Sequence, residues 1–212
     1  MQKINYSDWP RREAYEFFST LSHPFYMVTF RQDVTALYDY AKAKGLSFYY
    51  SMVWACTKAL NDVEAFLICA REGELYRLSR RDPSFTDLRP GDEQFHIVTL
   101  PMDDDIVAFC RIAGEKSRAQ QGFICAETET DELIYFSCLP WLDITALTNE
   151  RDMSCPEALN DNIPRLTWGK YTEENGRKTL GLSLEVNHRF IDGAHIGRFA
   201  ERLTYYMEHL EG

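Results

Sequence analysis

The chain has 212 residues, of which 45% are hydrophobic and 26% are charged, and its formal net charge at pH 7 is −10. This composition is typical of a folded globular protein, and no stretch approaches the ~20 consecutive apolar residues of a membrane-spanning helix. Nucleic acids and anionic membrane surfaces both bind to basic faces of proteins. We therefore expect neither as a general partner of this acidic chain.

The six cysteines are widely scattered without a CxxC pair, and the five histidines do not fall at the spacings of metal ligands. The sequence therefore predicts neither a disulfide framework nor a metal site. The N-terminal segment MQKINYSDWPRREAYEFF carries charges and lacks the apolar block of a secretory signal, so we expect a cytoplasmic location. No repeat or linker interrupts the chain, which predicts a single domain over residues 1–212.

The first third of the chain predicts helices around one strand. Ser7 or Asp8 is expected to cap a first helix with Pro10 in its opening turn. The segment PFYMVTFRQD alternates in polarity as a strand does, and Asp33 then begins a helix that ends at Gly45. The next segment, FYYSMVWACTKAL, has the period of a helix and is apolar enough to be buried.

The rest of the chain predicts groups of strands separated by single helices. The runs AFLICA, ELYRLS, PSFTDL and FHIVTL predict short strands, and the acidic triplet Asp103 to Asp105 predicts the start of a helix that reaches about Gln121. DELIYFSCLPW predicts a strand, followed by an irregular stretch up to Pro164. RLTWGKYT and RKTLGLSLEV predict strands around an Asn-Gly hairpin turn, and AHIGRFAERLTYYMEHL predicts a final helix. This order indicates a layered α+β or α/β fold, a mixed β-sheet flanked by helices.

One histidine draws attention because apolar residues alternate from Leu180 to Val186, and the same alternation places His188 on the interior side. A partly buried neutral imidazole can act as a general base when a neighbour fixes its orientation. Asp192, followed by Gly193, stands where it can cap the next helix and brace the turn that carries His188. A lone interior histidine is more often structural than catalytic, so the pattern alone does not assign a role to His188.

Six segments in the same order resemble chloramphenicol acetyltransferase along nearly the whole chain: WPRREAYEFF, SFYYSMVWACTKAL, ELYRLSRRDPSFT, FSCLPWLDIT, LTWGKYTEENGRKTLGLSLEV and NHRFIDGAHIGRF. The resemblance implies the fold of CoA-dependent acyltransferases and a homotrimer with active sites between subunits. It also implies acetyl-CoA as co-substrate and a small hydroxylated acceptor, of which chloramphenicol is one candidate. Transfer would take place in one ternary complex without an acyl-enzyme.

The resemblance assigns roles to individual residues. His188 is expected to remove the proton of the acceptor hydroxyl, and Ser137 to donate a hydrogen bond to the oxyanion. Asp192 is expected to pair with Arg11, which locks the turn around His188. Thr167 matches a threonine that holds a water near the oxyanion.

Further residues match regions that contact the two substrates. Three residues join Thr167 on the side that faces CoA: Trp141, Lys170 and Tyr171. Three aromatic residues fall in the region of the acceptor pocket: Phe17, Phe18 and Tyr26. Each of them could equally be a plain core or surface residue.

Two features depart from the family pattern. Asn187 replaces the histidine that usually precedes the catalytic one, and Arg189, Phe190 and Ile191 are bulkier than the small apolar residues usual between His and Asp. These departures leave the acceptor open. NHRFIDGA also resembles the DHRxxDGA segment of dihydrolipoamide acyltransferases, so transfer to a thiol is one alternative. A member of the family that binds its ligand without turnover is another.

Overall fold

The computed structural model describes residues 1–210, so the last two residues of the predicted domain lie outside it. This range contains ten strands and five α-helices. The strands are β1 (Gln2–Lys3), β2 (Phe25–Asp33), β3 (Ile68–Arg71), β4 (Glu74–Arg77), β5 (Asp82–Asp87), β6 (His96–Thr99), β7 (Leu133–Leu139), β8 (Arg165–Gly169), β9 (Thr172–Glu174) and β10 (Arg177–Asn187). The α-helices are α1 (Arg12–Phe18), α2 (Thr35–Lys44), α3 (Phe48–Asn61), α4 (Ile106–Ala119) and α5 (Gly193–Glu208).

A mixed seven-stranded sheet dominates the structure. Its order is β2-β10-β8-β7-β5-β6, with β9 paired to the first part of β10. The β5–β7 and β7–β8 pairs are parallel and the other pairs are antiparallel. A small antiparallel sheet of order β1-β4-β3 stands apart from it. The predicted fold class, a mixed sheet flanked by helices, is confirmed.

The two faces of the large sheet differ in chemistry. One face is apolar and packs on α3, whose residues Ser51 to Thr57 are all buried as the apolar segment predicts. Helix α3 in turn packs against α4 and α5. The opposite face, here called the polar face, carries a row of hydroxyl side chains in neighbouring strands: Thr86, Ser137, Thr167, Ser183 and Thr29.

The irregular stretch of residues 140–164 lies against the polar face and is held there by a buried ion pair. Arg151 donates to Glu185 of β10 at 2.6 Å and to Asp161, and its guanidinium lies over the ring of Phe25 at 3.9 Å. Burial of these charges is tolerated because each has an oppositely charged hydrogen-bond partner. The stretch is thereby fixed relative to β10.

Glycine is required where this stretch crosses the sheet. A Cβ on Gly181 would overlap the carbonyl oxygen of Ile144, and one on Gly169 would come within 2.8 Å of the Ile144 nitrogen. Contacts below 3.0 Å force the backbone to shift, so neither strand tolerates a side chain here. The Lys170 N–H donates to Leu142 at 2.6 Å at the same crossing.

Several local predictions are confirmed. Gly45 ends α2 in the left-handed conformation, Asp105 accepts a hydrogen bond from the Ala108 N–H at the start of α4, and Asn175 and Gly176 both have positive φ in the β9–β10 turn. Asn-Gly turns of this kind match the twist of a hairpin. None of the helices within residues 1–210 has the length and apolar content that crossing a membrane requires.

Other predictions are wrong in detail. Neither Ser7 nor Asp8 caps the first α-helix, because the side chain of Asn5 caps a short 3-10 turn and α1 begins only at Arg12. The run AFLICA is divided between a 3-10 turn and β3. RLTWGKYT is divided into β8 and β9. The pairing of this segment with β10 is interrupted where residues 142–144 of the irregular stretch pass between Gly169 and Gly181. The strand propensity of single residues does not predict an interruption that is caused by a distant segment of the chain.

Candidate active site

His188 follows directly after β10 and is held by its backbone and by two aromatic rings. Its N–H donates to Pro24 at 2.7 Å. The ring of Phe18 stacks on the imidazole at a centroid distance of 3.8 Å, and the ring of Tyr26 lies 4.3 Å away. The side chain is 32% exposed, so one edge of the ring reaches solvent. The alternation of β10 therefore predicts the side but not the exposure of this residue.

Asp192 orients the imidazole. The Nε2 atom of His188 lies 3.2 Å from the Oδ1 atom of Asp192. The carboxylate at this distance stabilises a proton on Nε2 by its negative charge. Burial lowers the pKa of His188, and the charge of Arg11 lowers it further, whereas Asp192 acts in the opposite direction. The balance favours a neutral imidazole, the form that a base requires.

Arg11 connects the N-terminal segment to this turn. Its guanidinium makes a forked ion pair with Asp192 and donates to the carbonyl oxygens of His188 at 2.5 Å and of Arg189 at 3.0 Å. The hydrogen bond from Arg11 is the main cause that holds the pKa of Asp192 below its usual value. Asp192 also precedes α5, where its own N–H donates to Nδ1 of His195 at 2.9 Å.

The residues that depart from the family pattern are buried in this chain. Arg189, Phe190 and Ile191 are 7%, 2% and 4% exposed. The Asn187 amide donates to the carbonyl oxygens of Leu159 and Asp161 at 2.8 and 3.0 Å. The Asn187 side chain therefore binds the chain's own irregular stretch.

The guanidinium of Arg189 joins three segments. It donates to Ser19 at 2.8 Å, to the Leu159 carbonyl oxygen at 2.7 Å, to Asn160 at 3.0 Å and to the Tyr15 hydroxyl, and it lies over the Tyr15 ring. Ser19 follows the phenylalanine that stacks on the imidazole. Arg189 thus fixes the end of α1, which carries the Phe18 ring, against the His188 turn. Nothing in the sequence indicates these partners.

Ser137 lies in the hydroxyl row of the polar face. The hydroxyl of Thr86 donates to its oxygen at 3.3 Å, which leaves the Ser137 hydroxyl proton available for another acceptor. Thr167 pairs with Ser137 in the β7–β8 register, and its buried hydroxyl has no hydrogen-bond partner within residues 1–210. An unsatisfied buried hydroxyl is uncommon, and this one is free to bind a water or a ligand. Thr86 has no signal in the sequence, because only the strand register places it here.

The residues that the resemblance assigns to CoA lie at the carboxyl ends of β7 and β8. Trp141 is 67% exposed, and Lys170 is exposed as well. The backbone N–H of Lys170 donates to the carbonyl oxygen of Leu142, the residue after Trp141. The Tyr171 ring packs against Tyr38 at 5.1 Å. An exposed indole and an ammonium group carried at these two strand ends could contact an aromatic and an anionic part of one ligand.

The structure divides the predicted site residues into two groups. His188, Asp192, Arg11, Phe18 and Tyr26 form the first group, while Phe17 packs on Phe18 but is 64% exposed. The second group comprises Ser137, Thr167, Trp141, Lys170 and Tyr171.

The two groups do not meet in one chain. His188 is five residues beyond Ser183, which lies two strands from Ser137. With ~3.4 Å per residue and ~4.8 Å between strands, the separation of His188 and Ser137 is roughly 20 Å. His188 also touches Tyr26 at the edge of the apolar face, whereas Ser137 is on the polar face.

Comparison with known proteins gives the family. A family model described as chloramphenicol acetyltransferase matches residues 1–204. The chain belongs to the chloramphenicol acetyltransferase family. A chloramphenicol acetyltransferase from Bacillus pumilus is 26% identical over 204 residues, which are 95% of this chain and 91% of that protein. The chain is accordingly an acyltransferase, and acetyl-CoA is the co-substrate of the family.

Solved structures agree on the fold. A chloramphenicol acetyltransferase structure superposes with a TM-score of 0.85 at 23% identity, over 97% of this chain and 99% of that one. A dihydrolipoamide acetyltransferase from Azotobacter vinelandii gives a TM-score of 0.67 at 21% identity, over 93% of this chain and 86% of that one. At these identities the likeness shows the fold alone.

Within residues 1–210, no cluster of three or more His, Cys, Asp and Glu side chains could hold a metal ion.

Proposed function

We propose that the protein transfers the acetyl group of acetyl-CoA to an acceptor hydroxyl, with His188 as general base and Ser137 as oxyanion donor. The observation that carries the proposal is the state of His188. Burial lowers its pKa, Asp192 fixes one nitrogen, and the partly exposed ring keeps a second nitrogen for a proton. A base must be neutral, oriented and reachable, and this imidazole meets all three conditions.

The reaction then needs no further group. The imidazole nitrogen that does not face Asp192 takes the proton of the acceptor hydroxyl while the oxygen attacks the thioester carbonyl. The Ser137 hydroxyl donates to the oxyanion of the tetrahedral intermediate. The intermediate collapses with loss of the CoA thiolate, and the imidazolium of His188 returns the proton to that sulfur. Arg11 and Asp192 keep the turn in place throughout.

The distance between the two groups supports a site shared between subunits. An oxyanion donor acts at ~3 Å from the reacting oxygen, so Ser137 and His188 cannot serve one reaction within a single chain. We therefore propose the homotrimer expected from the resemblance, with His188 of one subunit facing Ser137 of the next. Large exposed apolar side chains support such contacts, among them Phe17 at 64%, Trp141 at 67% and Leu142 at 58%.

The first experiment measures thiol release from acetyl-CoA with chloramphenicol and a panel of other alcohols, amines and dihydrolipoamide. His188→Ala should lower the rate ~10²- to 10⁴-fold, and Ser137→Ala ~10²- to 10³-fold. His209→Ala, at the end of α5, is the matched control and should have no effect. Turnover by His188→Ala equal to that of the wild type would exclude the catalytic assignment.

The second experiment tests whether the site is shared. His188→Ala and Ser137→Ala are unfolded together in equal amounts and refolded. Random assembly with sites between subunits restores about a quarter of the wild-type activity, because one site in four combines an intact histidine with an intact serine. A site contained in one chain gives no such restoration.

Thiol release with the same acceptors, together with the melting temperature, distinguishes two alternatives. Transfer to dihydrolipoamide but to no alcohol would place the protein with thiol acyltransferases. A rise of the melting temperature with acetyl-CoA, without thiol release to any acceptor, would indicate binding without turnover. The cytoplasmic location stays a prediction.

A further inference from the structure

One carboxylate on the polar face has no cationic partner. The side chain of Glu129 is partly buried, and among the described residues its partners are two hydroxyl groups. Thr99, 7% exposed, lies 3.0 Å from one oxygen, and the Tyr135 hydroxyl lies 3.0 Å from the other. Partly buried charges usually find an opposite charge. Glu129 is held in place but not neutralised.

The two hydroxyls leave room for a ligand. Since a carboxylate only accepts hydrogen bonds, Thr99 and Tyr135 both donate to Glu129. Burial and the nearby Glu129 charge raise the pKa of Tyr135, so its phenol keeps the proton that it donates. Each carboxylate oxygen has about two acceptor positions, and one on each is still free.

Glu129 is bound by Tyr135, which lies two residues before Ser137 in β7. Tyr135 and Ser137 are two residues apart in β7 and share the polar face, and Thr99 reaches the same row through its pairing with Ser84. Two residues of a strand span ~7 Å. Trp141, on the predicted CoA side, lies beyond Ser137 in the opposite direction. An acceptor that meets the thioester at Ser137 therefore approaches from the side of Glu129.

A cavity of about 410 Å³ opens on this side. Its volume is within the usual range of small-molecule sites. Among its lining residues, Asp131 is paired with Arg71, and Asp161 with Arg151 and Arg165. Within residues 1–210, neither the partly buried Glu129 nor the exposed Glu157 forms an ion pair. No Lys, Arg or His belongs to the described lining of the cavity. The wall therefore favours a positively charged group.

We propose that Glu129 binds a protonated amine of the acceptor, so that the acceptor is a hydroxylated organic cation such as an amino alcohol or an amino sugar. The spacing of Tyr135 and Ser137 along β7, ~7 Å, sets the scale of the distance between the ammonium group and the hydroxyl that is acetylated. The inference rests on the proposed function, which makes Ser137 the place of the thioester. Chloramphenicol carries no such cation and is then a poor acceptor.

The test uses two acceptors of equal size, 5-aminopentan-1-ol and hexan-1-ol. The wild type should show a kcat/KM for O-acetylation ten- to a hundred-fold higher for the amino alcohol, since a hydrogen bond to a charged group discriminates by about this factor. Glu129→Gln should abolish the preference, so that the two acceptors have similar kcat/KM values. Glu127→Gln removes the same charge from an exposed neighbouring position and should keep the preference. Fragmentation in tandem mass spectrometry distinguishes the O-acetyl ester from the N-acetyl amide, which has the same mass.

The outcomes separate the two proposals. Acetylation of hexan-1-ol or chloramphenicol as fast as that of the amino alcohol overturns the role of Glu129 and leaves the acetyltransferase proposal standing. Absence of thiol release with every acceptor rejects the proposed function. In that case the shift of melting temperature by 5-aminopentan-1-ol relative to hexan-1-ol, in wild type and Glu129→Gln, still decides whether Glu129 recognises the cation.

Discussion

Replacement of Arg189 by methionine tests the support of the catalytic turn. Methionine keeps an unbranched apolar stem but removes the guanidinium that reaches Ser19, the Leu159 carbonyl oxygen, Asn160 and the Tyr15 hydroxyl. A hydrogen bond from a charged donor contributes ~1.5 to 3 kcal/mol. Four such bonds do not add, because burial of the guanidinium itself is unfavourable and Leu159 keeps its bond from Asn187. We expect the free energy of unfolding to fall by ~2 to 4 kcal/mol.

The assay is urea unfolding at one fixed protein concentration, since an oligomer's stability depends on concentration. Arg111→Met is the matched control, because Arg111 is an exposed helix residue whose ion pair with Glu115 contributes below ~1 kcal/mol. Arg189→Lys should recover little of the loss, since an ammonium group cannot reach the same acceptors as a planar fork. A loss for Arg189→Met no larger than that of the control would refute the reasoning.

The same substitution should slow catalysis. Arg189 holds Ser19, the neighbour of Phe18, whose ring stacks on His188. A small displacement of the imidazole lowers the rate because proton transfer requires close alignment. At temperatures where the variant is folded, we expect kcat to fall ~10-fold with the KM for acetyl-CoA unchanged. An increase in that KM alone would place the effect at the CoA side instead.

The remaining predictions concern the charges around His188 and the backbone crossing. Asp192→Asn removes the group that raises the pKa of His188, so the rising limb of kcat/KM against pH should move to lower pH. Arg11→Met removes a cation that lowers this pKa, so the same limb should move to higher pH. Shifts of the same sign in both variants would contradict this. Gly181→Ala should lower the free energy of unfolding in urea by at least ~2 kcal/mol because its Cβ meets backbone, whereas Gly197→Ala, with open space in α5, should raise it by up to ~1 kcal/mol. Equal effects of the two alanines would reject the close approach.

The chemistry of the candidate site was accessible from the sequence only through the order of the resembling segments. Periodicity pointed His188 toward the interior, but it could not distinguish a base from a core histidine. The Arg11–Asp192 ion pair joins residues 181 positions apart, and no local pattern indicates such a partner. The structure adds Thr86 beside Ser137 and Glu129 on the same face, neither of which has any signal in the sequence.

The sequence by itself determined the type and order of most elements, because alternation, the Asn175-Gly176 turn and caps such as Asp105 act over a few residues. Only the tertiary structure decided which residues are neighbours. Strand register brought Ser137 beside Thr167 and left His188 roughly 20 Å away on another face. Register and burial are set by contacts between distant segments, so a local pattern reports the face of a residue but not its partner.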